Sequence, residues 1–135
     1  MLKIWMIAAG ISAMMAQPAL AQQVMDDSVA QVGHEKADAA VKAVMGQLKD
    51  PSSAQFKSFT HPDPMYHQYP QQIVCGMVNA KNGFGGYNGF VPFGYHTLED
   101  VVIILADSVV TSPSGELAKA GFKSMSCASA LGVTL

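Results

Sequence analysis

The sequence predicts an α+β domain in which an N-terminal amphipathic helix packs on a small antiparallel sheet, braced by one disulfide and followed by a short C-terminal helix. Three observations predict it. Apolar residues recur at helical spacing early in the chain, strand-length apolar runs broken by glycine and asparagine fill its second half, and there are two cysteines, Cys75 and Cys127. With 135 residues, 50% of them hydrophobic, there is room for one small domain.

Residues 1–21 have the layout of a secretory signal peptide. Lys3 precedes an apolar stretch over 4–16, Gln17 and Pro18 form a polar, helix-breaking boundary, and Ala19, Leu20 and Ala21 fit the small-x-small rule for cleavage before Gln22. The alternative is an uncleaved anchor, but the apolar stretch is well short of the ~20 residues that span a bilayer. No cysteine stands at the cleavage site to accept a lipid. The expectation is an exported chain, periplasmic or secreted, with no membrane span after cleavage.

Residues 22–33 open polar and acidic, and Gly33 weakens any helix there, so they read as a flexible N-terminus ahead of a single α+β domain over 34–135. Val29, Val32, Ala37, Ala40, Val41, Val44, Met45 and Leu48 form one apolar face, with Glu35, Lys36, Asp38, Lys42 and Lys49 elsewhere, and the firm helix is expected over 34–48. Pro51 disfavours helical geometry at Asp50, yet Asp50 as N-cap and Pro51 as the first helical residue suit a new short turn. Phe56 and Phe59 read as core anchors at the start of the sheet region. Residues 61–70, with Pro62, Pro64 and Pro70, read as an extended surface loop.

Strands are expected over 72–80, 87–93 and 101–106. The first two are joined by a glycine- and asparagine-rich connection over 81–86 that needs positive φ. Pro92 marks an edge or an end of pairing, and the unbroken apolar run over 101–106 reads as a fully buried strand. Residues 116–123 form a short helix that returns Cys127 to the sheet. Export keeps a thiol pair oxidised, so Cys75 and Cys127 are expected to form a structural disulfide. Their spacing is not Cys-x-x-Cys, and no motif supplies two more zinc ligands.

Two blocks, LKDPSSAQF at 48–56 and CGMVNAKNGFGGYNGFVPF at 75–93, together resemble a family of small exported bacterial proteins with the pattern LKDPxSAxF … CGxVNAKNxxGGYxGxxxF. Members often end in a cysteine preceded by an aromatic; Phe122 and Cys127 follow that with a longer gap. The resemblance implies location and fold. It brings no catalytic residue with it.

Composition narrows the function. All eight cationic residues are lysine and the formal net charge is -2; lacking arginine and a basic face, the chain is poorly suited to nucleic acid. There is no Gly-x-Ser-x-Gly elbow, no HExxH helix and no P-loop lysine-serine pair. No catalytic residue, cofactor or metal is expected. Asn79, Lys81, Asn82, Tyr87 and Asn88 place amides, an ammonium and an aromatic face in one hairpin, a set suited to a protein segment or glycan of the cell envelope. The same residues also suit plain loop construction. The leading expectation is a non-enzymatic exported module that binds such a partner. The alternative is a small metal-dependent envelope hydrolase using His61, Asp63, His67 and His96.

Overall fold

The computed structural model describes residues 23–106 and 112–135. The proposed leader, 1–21, lies outside the described residues. What is described is α+β: helices α1 (Val29–Val32) and α2 (His34–Met45), strands β1 (Gln55–Thr60), β2 (Ile73–Asn79), β3 (Val91–His96) and β4 (Val101–Ile104), then helices α3 (Gly115–Ser124) and α4 (Cys127–Leu131). The strands form one antiparallel sheet in the order β1-β2-β3-β4. No helix among the described residues is long and apolar enough to cross a membrane.

Because side chains alternate across a strand, the sheet sorts its residues into two cores. Val74 and Val78 of β2 with Phe93 and Tyr95 of β3 meet α1 and α2 through Val29, Val32, Ala37, Ala40, Val41 and Val44. On the opposite face Ile73, Cys75 and Leu105 meet Phe122, Met125 and Cys127 of the C-terminal helices. The sheet is therefore covered on both faces, which explains its largely unbroken apolar runs.

The disulfide closes the second core. Cys75 and Cys127 are bonded, with Cα atoms 5.4 Å apart and 52 residues between them in sequence. Gly94, the cross-strand partner of Cys75, makes this approach possible: a Cβ there would stand 2.6 Å from Met125 Sδ and 3.2 Å from Cys127 Sγ. On the other face a Cβ at Gly76 would stand 2.5 Å from Phe93 Cζ. That ring fills the space a side chain would otherwise take.

Several expectations require correction. Residues 23–33 are built into the fold. Phe56 N–H donates to Gln23 O (2.7 Å) and Met25 N–H donates to Phe56 O (2.8 Å), so the chain before α1 straps the outer edge of β1. The amides of Ser58 and Phe59 donate to Asp26 Oδ2 and Ser28 Oγ, both at 2.8 Å. Burial pushes the Asp26 pKa up, but hydrogen bonds from Ser28 and Ser58 and the charge of Lys57 outweigh it and hold the carboxyl below its ordinary value. The polar composition that suggested a flexible lead-in is the composition of a clamp.

The expected long helix is two helices, hinged at Gly33 (φ 85°) and ending at Met45 rather than Leu48. Asp50 and Pro51 do start a turn, the 3₁₀ turn Pro51–Ser53, although the Asp50 carboxylate accepts the Ser52 hydroxyl (2.9 Å) and not a backbone N–H. The third strand lies at Val91–His96 and not 87–93; Tyr87 pairs only through an isolated bridge to Lys81. Pro92 is inside that strand. Its carbonyl accepts from Leu105 N–H (2.9 Å), one residue beyond β4, so the missing N–H falls where the ladder has already ended. The run over 101–106 is an edge strand, with Val101 42% exposed. Its apolar character comes from helices on both faces and not from strands on both sides.

Candidate binding site

The connection between β2 and β3 is ordered by its own polar groups. Asn82 Oδ1 accepts from the amides of Phe84 (2.9 Å) and Gly86 (3.2 Å), and Asn82 Nδ2 donates to Asn88 Oδ1 (2.9 Å). The Asn82 backbone adds two more hydrogen bonds, receiving Gly85 N–H and donating to Gly86 O. Asn79, almost fully buried, accepts Gly89 N–H (3.2 Å) and donates to Gln55 Oε1 (3.3 Å). Gly85 and Gly89 take positive φ at the two reversals, conformations that other residues adopt only at a cost.

The loop is also tied to the start of β1. Lys81 N–H donates to Ser53 Oγ (2.9 Å), and the Tyr87 hydroxyl donates to Ser53 O (2.9 Å). Ser53 in turn donates through Oγ to Asp50 O (2.8 Å), which fixes the 3₁₀ turn. The two sequence blocks thus meet in one unit, with Ser53 and Gln55 of the first holding Lys81, Tyr87 and Asn79 of the second. Lys81 Nζ stands 5.8 Å from the Tyr87 ring centroid and Lys57 Nζ 4.2 Å from that of Phe90.

This geometry revises the role of the expected binding residues. The side chains of Asn79 and Asn82 and the Tyr87 hydroxyl are engaged within the protein, and Asn88 Oδ1 is taken by Asn82. They build the loop, and Asn82 and Asn88, with Lys81, also line the groove beside it. What the loop presents is Phe84, which is 100% exposed.

Beside it lies a groove of about 810 Å³, within the range of small-ligand and peptide sites. Its walls come from residues 47–49 after α2, from the loop and from β4, with Leu48, Val78, Val91, Val102 and Ile104 giving it an apolar floor. Phe84 stands at its rim. Among the described residues Lys49 and Lys81 are its charged lining, and no carboxylate lines it. Sequence reasoning missed this groove because its walls are distant in sequence, and it overlooked Phe84 because one aromatic between glycines carries no periodic signal.

The histidine set does not form a centre. His61 Nδ1 is 2.7 Å from Ile73 O and serves as a donor there. His67 Nδ1 accepts Tyr69 N–H (3.0 Å) and His96 Nδ1 accepts Glu99 N–H (3.2 Å). Asp63 Oδ1 accepts Met65 N–H (2.8 Å). His67, His96 and Asp63 each stabilise their own turn, while His61 ties the end of β1 to the start of β2. Among the described residues no group of three or more His, Cys, Asp or Glu is placed to hold a metal ion.

Comparison with protein-family models, curated proteins and solved structures finds no match for this chain.

Proposed function

We propose that the chain is an exported, non-enzymatic binding module, periplasmic or secreted, that captures a protein of the cell envelope at the groove beside Phe84. One observation carries this reading. A loop that spends its amides on itself holds a fully exposed phenylalanine at the rim of an apolar groove. Exposing an aromatic ring to water costs free energy, and fixing the loop beforehand lowers the ordering cost when a partner covers it. The disulfide supports export, because such bonds persist in oxidising compartments.

Site-specific photocrosslinking tests the reading in the cell that makes the protein. With a photoreactive phenylalanine analogue in place of Phe84, irradiation is expected to yield a discrete adduct of higher mass. The same analogue in place of Leu117, 78% exposed on α3, is expected to yield none. No adduct at 84, or the same set of adducts at both positions, removes the groove as a recognition surface.

A further inference from the structure

The two edges of the sheet are finished differently. At the β1 edge, Phe56 turns its N–H and C=O outward and residues 23–25 pair with them as a short parallel strap. At the β4 edge no described residue does the same. Leu105 N–H bonds to Pro92 O, and antiparallel alternation then directs Ile103 and Val101 inward to their partners Gly94 and His96. Val102 and Ile104 consequently direct their N–H and C=O groups away from β3. Both residues also line the groove.

A row of unpaired backbone groups is a template for another strand. Natural edges are blunted by shortness, charge, proline or a bulge; β4 is short, but its four residues read Val-Val-Ile-Ile without charge, proline or bulge. The groove adds a second requirement. Lys49 and Lys81 line it with no carboxylate among the described residues, and neither takes part in the ion pair found there, Lys119 with Glu116. The charge that the described residues bring to the groove is positive, although the chain as a whole is acidic.

Taking the groove as the recognition site, we infer that its occupant is an extended acidic peptide segment that adds to β4 as a further strand. Its backbone pairs with Val102 and Ile104, every second side chain is apolar and lies in the groove against Leu48 and Phe84, and a flanking carboxylate meets Lys49 or Lys81. Backbone pairing supplies affinity; the apolar alternation and the carboxylate supply selectivity. The protein's own strap on β1 is the same device used within one chain.

The test is an amide-resolved NMR titration of the processed protein, disulfide intact, with the peptide acetyl-Glu-Thr-Val-Thr-Val-Thr-Glu-amide, whose valines and glutamates share one face. Three control peptides carry lysine for both glutamates, or N-methyl groups on the backbone nitrogens of alternate residues in one phase or the other. Saturable shifts at Val102, Ile104 and Phe84 are expected with the first peptide. Binding should weaken at least about tenfold when the N–H groups facing β4 are methylated, and several-fold on charge reversal, more so at low salt. Equal binding of all peptides, no binding, or shifts confined to residues 61–70 overturns the inference. So does closure of the edge by a second copy, seen as a dimer in sedimentation with Val102 and Ile104 protected, or binding to phosphatidylglycerol vesicles without any response to peptide. If crosslinking at position 84 succeeds while methylation has no effect, the recognition site stands and strand addition falls.

Discussion

Phe93→Ala is expected to cost about 3–5 kcal/mol of stability, enough to leave so small a domain barely folded. Phe93 is completely buried at the centre of the first core. Its ring meets Phe56 edge-on at a centroid distance of 6.0 Å and Phe59 likewise at 6.0 Å, while Phe56 and Phe59 stack at 6.1 Å. The same ring accounts for the glycine opposite. Gly76→Ala in the native background is expected to cost about 1–3 kcal/mol, because its Cβ would stand 2.5 and 2.7 Å from ring atoms that the other two phenylalanines hold in place. Once Phe93 is cut back, Gly76→Ala should cost little or even help. Urea unfolding of the two single variants and the double variant measures the coupling, expected in the range of about 1–3 kcal/mol. Simple additivity would mean that the ring does not press on Gly76.

Removing the disulfide is the second large effect. Cys75→Ala with Cys127→Ala frees a cross-link spanning 52 residues, for which chain-entropy reasoning gives about 4 kcal/mol. Both sulfur atoms belong to fully buried residues, so the double variant also loses packing against Phe122 and Met125. A fall in the thermal midpoint on the order of 20 °C is expected, with reductant producing a similar fall in the native protein as it unfolds. Alanine at both positions avoids leaving a buried thiol or hydroxyl without a partner. An unchanged midpoint would show that the C-terminal helices are held by packing alone.

The parts of the fold that were legible in the sequence are those with a local period or a covalent rule. The helix over 34–45 follows from spacing, the strand at Ile73–Asn79 from its apolar run, and the Cys75–Cys127 bond from export logic. β1 was hidden by its own irregularity. Phe56 and Phe59 are three residues apart, which is not a strand period, and both reach the same core because Ser58 takes positive φ (60°) and shifts the register between Lys57 and Thr60. The strap of residues 23–28 was invisible because its bonds are to residues some thirty positions away. The edge position of β4 was masked by cover on both faces.

The site was legible in part: loop construction was one of the two roles expected for the asparagines. Composition drew attention to Asn79, Asn82 and Asn88, and they do matter, but as the internal frame of the loop. A sequence cannot distinguish an amide that points outward from one already bonded to a nearby N–H, since both favour asparagine beside glycine. Phe84 and the backbone of β4, the groups left for a partner, have no motif at all.

The difference between the two sheet edges is the claim on which strand addition at β4 rests, and native-state amide hydrogen exchange of the processed monomer measures it most directly. Ser58 and Phe59, bonded to Asp26 and Ser28, should be protected, whereas Val102 and Ile104 should exchange close to the rate of an open chain while their neighbour Ile103 is slow. Protection of Val102 and Ile104 equal to that of Ile103 in the monomer would show the β4 edge already occupied and would contradict the account.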